Sequence, residues 1–161
     1  MKSFISFAVL VFCMATSCSE PKNATENKPT ASIDEAIQAR NYTFKARTAV
    51  PTGGRTRQLT TDFDLDIGKD TIVSYLPYFG RAYTAQIGGR ENGLQFTSTD
   101  FEYDDQVSEK GLHEIRIKPK DARDVQLLLL SVSKNGYGTL QVTSTNRQPI
   151  SFSGVIETNE K

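Results

Sequence analysis

A two-residue alternation of apolar and polar side chains begins after Arg40 and recurs almost to the end of the chain. It is clearest in the segments "NYTFKARTAV", "LTTDFDLDI" and "LHEIRIK", and weaker in "YGTLQVTS" and "PISFSGVIE". Its expected buried members are Tyr42, Phe44, Ala46, Val50, Leu59, Phe63, Leu65, Ile67, Ile115 and Ile117. A period of two matches a β-strand with one buried face. The alternation therefore predicts half-buried antiparallel strands.

Turn signals separate these strands. Asn135-Gly136 predicts a hairpin with a type I′ turn, which needs positive φ at both residues. Further turns are expected at Gly68–Asp70, Ser108–Gly111 and Thr145–Pro149, and a longer loop at Gly88–Asn92. Strands at such spacing form sandwiches or barrels. We expect an all-β fold, a single antiparallel meander forming a closed or half-open barrel, with a two-sheet β-sandwich as the alternative.

One short helix precedes the strands. Ser32 and Glu35 have the spacing of a capping box, and Ile33, Ala36 and Ile37 share one helical face. The pattern predicts a helix from Ile33 to about Arg40. A helix this short needs a docking surface, so we expect it against one side of the barrel or in its mouth. The run "VQLLLLSV", apolar on both faces, predicts a central strand covered on each side.

The N-terminus reads as an export signal. Lys2 is followed by an apolar stretch, Phe4–Met14, that is too short to span a bilayer as a helix. Ala15-Thr16-Ser17-Cys18 then resembles the cleavage site of a bacterial lipoprotein signal. We interpret residues 1–17 as signal peptide, 18–32 as lipidated Cys18 plus a flexible, Pro-containing tether, and 33–161 as the all-β domain. Plain secretion, with cleavage near Ala15, is the alternative.

Lipidation at Cys18 would anchor the protein to a membrane through its acyl chains, palmitate among them. Ser19 resembles the residue found after the lipidated Cys in outer-membrane lipoproteins. The acid-poor "SEP" that follows favours the periplasmic face over the cell surface. The expected localisation is therefore the outer membrane of the cell envelope.

Composition excludes several function classes. After signal removal the chain has 18 basic and 19 acidic residues, so no basic excess exists to bind nucleic acid. Cys13 leaves with the signal and Cys18 carries lipid, which leaves no thiol for catalysis or a disulfide. His113 is the single histidine, so no metal-ligand or Ser-His-Asp pattern is legible. We expect no enzyme, no metal and no cofactor.

Two acidic stretches are read as structural. In "DFDLDIGKD" the apolar residues alternate as a strand face, and the positions that an EF-hand gives to Gly and Glu hold Ile67 and Val73. We interpret it as a strand with an acidic outer face. Asp104-Asp105 is expected on a loop as solvated charge.

The stretch "SYLPYFGRAY" is the candidate binding site. It holds four aromatic residues and one arginine within ten positions. Pro77 should end the preceding strand, and Gly80 permits a turn. The candidate ligand- or partner-binding residues are Tyr75, Tyr78, Phe79, Arg81 and Tyr83. The competing interpretation is that these aromatics plug a barrel end while Arg81 satisfies a carboxylate or loop carbonyls.

The segments "YLPYFGRAY", "GLQF" and "SKNGYGTLQVTSTNRQPISFSGVI" resemble a Bacteroidota lipoprotein family known only as domain of unknown function 4251. The upstream "FKARTAVPTGGRTRQL" fits the same pattern, so the resemblance spans about Ile33 to Glu157. It implies a secreted or lipid-anchored β-rich domain. It carries over no activity and no catalytic residue.

Two functions remain open from the sequence. The first is a non-enzymatic envelope lipoprotein that binds a small apolar ligand or lipid within the barrel. The second is an accessory module that binds a protein or glycan partner through exposed aromatics at Tyr78 and Phe79.

Overall fold

The computed structural model describes residues 30–83 and 93–159. Within them lie one helix and nine strands. In chain order these are α1 Thr30–Ala39, β1 Tyr42–Pro51, β2 Arg57–Ile67, β3 Ile72–Leu76, β4 Leu94–Ser98, β5 Phe101–Val107, β6 His113–Pro119, β7 Val125–Val132, β8 Tyr137–Ser144 and β9 Ile150–Thr158. The predicted signal peptide, Cys18 and the loop Gly88–Asn92 lie outside the described residues. No helix in the described part is long and apolar enough to cross a membrane.

All nine strands form one sheet, in the order β4-β3-β2-β1-β9-β8-β7-β6-β5. Every neighbouring pair is antiparallel. The sheet curls into a nearly closed barrel, which confirms the predicted all-β meander over the two-sheet alternative. The run predicted as a central strand is β7, and it pairs with β6 and β8.

The two edge strands, β4 and β5, are halves of one bent strand. Because nine strands alternate in direction, the first and last of the row point the same way. Only Thr99 and Asp100 separate β4 from β5, so the chain bends there instead of reversing. Asp121 holds the corner by accepting hydrogen bonds from the Ser98 hydroxyl and from the Thr99 backbone N–H, the latter at 2.9 Å. The barrel is thereby nearly closed at this seam.

The inward-facing side chains fill the barrel. The largest ones without exposed surface are Tyr42, Phe44, Phe152, Leu65, Ile67, Ile72, Leu76, Ile115, Ile117 and Leu128. Most of them occupy the positions that the alternation marked as apolar. Burying an aliphatic or aromatic side chain contributes about 1.5–3 kcal/mol each, so this interior is the main stabilising feature of the fold.

A β-bulge in β1 corrects the predicted alternation. The register of β1 shifts between Ala46 and Thr48 against both neighbouring strands. After the shift Ala49 is buried, whereas Val50 is 42% exposed. Val50 was expected in the core. The prediction was wrong because an extra residue inverts the faces of the strand beyond it.

The β7–β8 hairpin forms where Asn135-Gly136 predicted it, but with another turn. Gly136 has φ of +78°, whereas Asn135 does not have positive φ. Ser133 N–H donates to Tyr137 C=O at 2.8 Å, and Gly136 N–H donates to Ser133 C=O at 2.9 Å. This is a three-residue loop that ends in a glycine bulge, so the type I′ assignment was wrong.

Helix α1 covers one barrel end. It begins at Thr30, three residues before the predicted start, so the capping role given to Ser32 was wrong. Ile33 and Ile37 are buried, and α1 packs against β9 and the β7–β8 turn. We call the end that holds Tyr42 and α1 the helix end. The opposite end, at Pro51, is the loop end.

Candidate functional site

The aromatic stretch lies across the loop end of the barrel. Pro77 follows the last residue of β3, as expected, and the chain then runs over to the β8–β9 turn. Tyr83 N–H donates to Asn146 C=O at 2.8 Å, and Gln148 N–H donates to Arg81 C=O at 3.2 Å. These hydrogen bonds attach the aromatic stretch to the β8–β9 turn, so that it lies across this end of the barrel.

Tyr78 holds the aromatic stretch in this position. Its ring is half-buried, and its hydroxyl lies 3.0 Å from the Arg81 carbonyl and 3.1 Å from the Gln148 carbonyl. Burial raises the pKa of Tyr78 above its ordinary value. A Cβ at Gly80 would lie 2.5 Å from the Tyr78 hydroxyl oxygen, so the close turn requires glycine. Tyr78 therefore has a structural role in shaping the segment.

A pocket of about 360 Å³ opens between the aromatic stretch and the β1–β2 turn. Tyr78, Phe79 and Arg81 line it on one side. Residues 51–55 and Arg57 line the other side, and they include Gly53 with φ of +74°. The Arg57 guanidinium lies 4.8 Å from the centre of the Phe79 ring. The ring thus holds the cation in place at the pocket wall.

The pocket is positively charged. Arg55, Arg57 and Arg81 line it, and within the described ranges none of them forms an ion pair with a carboxylate. The segments 51–60, 76–83 and 145–149 contain no Asp or Glu. The three guanidinium groups are solvent-exposed, and a local field of one sign attracts ligands of the opposite sign. The arrangement therefore suits an anionic group.

Arg147 differs from these three arginines. Its guanidinium lies 5.0 Å from the centre of the Tyr78 ring, and its Nη1 donates to Gly93 C=O at 2.7 Å. It joins the β8–β9 turn to the start of β4. We assign it a structural role at the loop end.

The other two candidate residues lie outside the pocket. Tyr75 points from the outer side of β3 and stacks on Phe63, with ring centroids 5.6 Å apart. Tyr83 is 69% exposed beyond the pocket lining. The structure thus brings together Tyr78, Phe79 and Arg81, and leaves Tyr75 and Tyr83 apart.

Sequence reasoning missed Arg55 and Arg57. The signal was present in "PTGGRTR", where two arginines follow a Gly-Gly turn without any acidic neighbour. It could not be connected to "YFGR" because about twenty residues separate the two segments. Only the antiparallel path of β2 and β3 returns the chain to the same barrel end.

A second polar cluster lies at the helix end. His113 is buried, with its Nδ1 3.0 Å from Asp105 Oδ2 and its Nε2 3.3 Å from Asp34 Oδ1. Asp105 lies in β5, so its placement on a loop as solvated charge was wrong. The cluster ties α1 to the barrel. Within the described part no group of three or more His, Cys, Asp or Glu residues is arranged to hold a metal ion.

Two tyrosines extend this cluster inward. The hydroxyls of Tyr42 and Tyr103 are 3.1 Å apart, and the Arg40 guanidinium lies 4.4 Å from the centre of the Tyr103 ring. Burial, together with the nearby Tyr103, raises the pKa of Tyr42 well above its ordinary value. Burial likewise raises the pKa of Tyr103. Both hydroxyls are therefore protonated at neutral pH and are held by this buried hydrogen bond.

The fold and this pocket define a small antiparallel β-barrel with one end closed by a helix and the other carrying a basic, aromatic-lined pocket. The family model described as "Domain of unknown function (DUF4251)" matches residues 24–156. The chain belongs to this family. No curated protein matches it.

A solved structure shares the fold. The crystal structure of a DUF4251 family protein from Bacteroides eggerthii DSM 20697, at 1.95 Å resolution, superposes with a TM-score of 0.57. The two chains are 12% identical, and the match covers 81% of this chain and 89% of the other. At that identity the likeness concerns the fold alone.

Proposed function

We propose that this protein is a non-enzymatic, lipid-anchored protein of the cell envelope that binds its ligand or partner at the loop-end pocket. The observation that carries the proposal is the convergence of Arg55, Arg57 and Arg81 with Tyr78 and Phe79 around one pocket, where the arginines have no carboxylate partner in the described part of the chain. Aromatic and arginine side chains dominate recognition surfaces because they combine apolar area with directed hydrogen bonds.

The interior supports this proposal over an apolar ligand held inside the barrel. Such a ligand needs a cavity of about 300 Å³ or more. Most inward side chains of the described strands have little or no exposed surface, Phe44, Leu140 and Phe152 among them. The pocket at the loop end lies outside this packed interior and is already open.

Anchoring through Cys18 completes the proposal. The tether would join the barrel at α1, which lies at the end opposite the pocket. Cys18→Ala should move the protein from the membrane fraction to the soluble fraction, measured by fractionation and immunoblotting. Protein that stays in the membrane fraction would argue against lipid anchoring at Cys18.

Native mass spectrometry of protein purified from its own envelope tests the binding site. We expect a bound adduct that is lost in Phe79→Leu and Arg81→Gln. The matched control is Tyr137→Leu, since Tyr137 is an exposed aromatic away from the pocket, 57% exposed on β8. Thermal melts should show that all three variants remain folded. An adduct that survives both pocket substitutions, or that is lost equally in the control, would refute the pocket as the site.

A further inference from the structure

We infer that the ligand of the loop-end pocket is a saccharide that carries a phosphate or carboxylate group. This inference rests on the proposed function, because it specifies what the same pocket binds.

Arg57 has donors available for an anion. Its guanidinium lies 4.8 Å from the centre of the Phe79 ring and, among the described residues, forms no ion pair with a carboxylate. An arginine held against an aromatic ring keeps its N–H donors available for a ligand. Phosphate and carboxylate oxygens match that planar pair of donors. Arg57 is therefore preorganised to bind an oxyanion.

The charge around the pocket is positive. Arg55 and Arg81 are exposed at the same pocket and have no acidic partner among the described residues. The whole chain is close to neutral, so this concentration of positive charge is local to one barrel end. A local field of one sign concentrates ligands of the opposite sign. The ligand should therefore be anionic.

The size and lining of the pocket indicate what the ligand contains besides its anionic group. A volume of about 360 Å³ exceeds what an inorganic anion fills and lies within the range of small-molecule pockets. Half-buried Tyr78 and Phe79 offer apolar ring surface, while Thr52 and Gln148 offer polar groups beside it. A pyranose presents an apolar C–H face with a rim of hydroxyls. A sugar therefore fits the wall better than a hydrocarbon tail does.

The position of the pocket indicates where the saccharide comes from. The chain enters the barrel through α1 at the helix end, and β1 spans the distance to the loop end. The pocket thus lies on the side away from the N-terminal attachment. With the anchor proposed at Cys18, this placement leaves the pocket accessible to a free or envelope glycan.

Titration of the detergent-purified, lipidated protein tests the inference. The probes are glucose 6-phosphate, glucuronic acid, glucose and inorganic phosphate, each at constant ionic strength and measured by calorimetry. We expect the two charged sugars to bind at least about tenfold more tightly than either glucose or inorganic phosphate. Glucose lacks the anionic group that the arginines would bind, and inorganic phosphate lacks the sugar ring that the aromatic side chains would contact.

Variants locate the binding. Arg57→Gln and Arg81→Gln should each weaken glucose 6-phosphate binding by about 10- to 100-fold, as expected for a lost charge-assisted hydrogen bond. Arg116→Gln, on the exposed face of β6, is the matched control and should leave binding unchanged. Phe79→Leu should weaken binding of glucose 6-phosphate more than binding of inorganic phosphate, because it removes the ring surface for the sugar as well as the support of Arg57.

Four results would overturn the inference. They are equal binding of glucose, binding of inorganic phosphate as tight as that of glucose 6-phosphate, Arg57-dependent binding to phosphatidylglycerol vesicles without binding of either charged sugar, and no binding of any probe. If the native adduct still depends on Phe79 while the charged sugars fail, the ligand class is wrong and the proposed site stands. If the adduct is also independent of Phe79, both are wrong.

Discussion

At the scale of single residues, two positions lie where the backbone favours glycine, and only one of them holds it. Gly154 faces the β1 bulge, and a Cβ there would lie 1.9 Å from the Lys45 carbonyl oxygen. Arg40 has φ of +50° at the end of α1, where Asn41 N–H donates to Ala36 C=O and Arg40 N–H donates to Ile37 C=O, both at 3.0 Å. Glycine is usual there. Arginine instead reaches the Tyr103 ring.

Gly154→Ala should lower the free energy of unfolding by about 3 kcal/mol, because the new methyl group overlaps a fixed backbone oxygen and forces β1 and β9 apart. Urea denaturation measures the change. Gly53→Ala is the control: Gly53, unlike Gly154, has positive φ, but no atom lies within 4 Å of the new Cβ, so we expect a loss of only about 1 kcal/mol. Equal losses in the two variants would contradict the steric explanation.

At the scale of elements, the bent strand formed by β4 and β5 decides whether the sheet closes. Both halves lie at sheet edges, and exposed edges invite pairing with other chains. Asp121 secures the bend through Ser98 and Thr99, and these hydrogen bonds lower the pKa of the Asp121 carboxyl. Sequence inspection gave this aspartate no role, because its partners lie in another strand.

Asp121→Asn should destabilise the protein at neutral pH and have less effect in acid. The folded-state pKa of Asp121 lies below the ordinary value of 3.8. The ionised carboxylate therefore stabilises the fold fully above pH 3.8, and this contribution is lost as the pH falls through the folded-state pKa. Melting temperatures of the two proteins should therefore differ at pH 7 and converge as the pH falls below 3.8. A difference that stays constant with pH would mean that the charge of Asp121 is irrelevant.

At the scale of the whole molecule, the two barrel ends differ in how they are built. The helix end is closed by Ile33 and Ile37 of α1 and by the His113 contacts to Asp34 and Asp105. The loop end carries the basic pocket. The packed interior lies between them. A change at one end should therefore alter stability without altering the site at the other.

Ile37→Ala tests this separation. Ile37 is 1% exposed, and its truncation should cost about 3 kcal/mol in the free energy of unfolding through lost burial and a cavity. Under conditions where the variant stays folded, binding at the loop end should be unchanged. Gln38→Ala, on the exposed side of α1, should change neither quantity. Weakened binding in Ile37→Ala would show that the ends are coupled.

Alternation and turn residues were sufficient to predict most of the strands, the meander and most of the interior, since one-sided burial imposes a period of two on sequence. They did not predict β4, and they placed Asp104-Asp105 of β5 on a loop. They could not predict the bulge at Arg47, because an inserted residue looks the same as its neighbours in the sequence, and Val50 was misplaced as a result. The hairpin at Gly136 was located correctly, but its turn type depends on φ at Asn135.

The candidate site divides in the same way. Composition and spacing were enough to single out Tyr78, Phe79 and Arg81, because aromatic and arginine residues so close together are conspicuous in any chain. Their grouping with Arg55 and Arg57, and the separation of Tyr75 and Tyr83 from them, depended on tertiary structure. Local sequence determines which faces are apolar and where the chain turns. Strand register and the path around the barrel decide which distant residues meet, because that depends on contacts across the whole sheet.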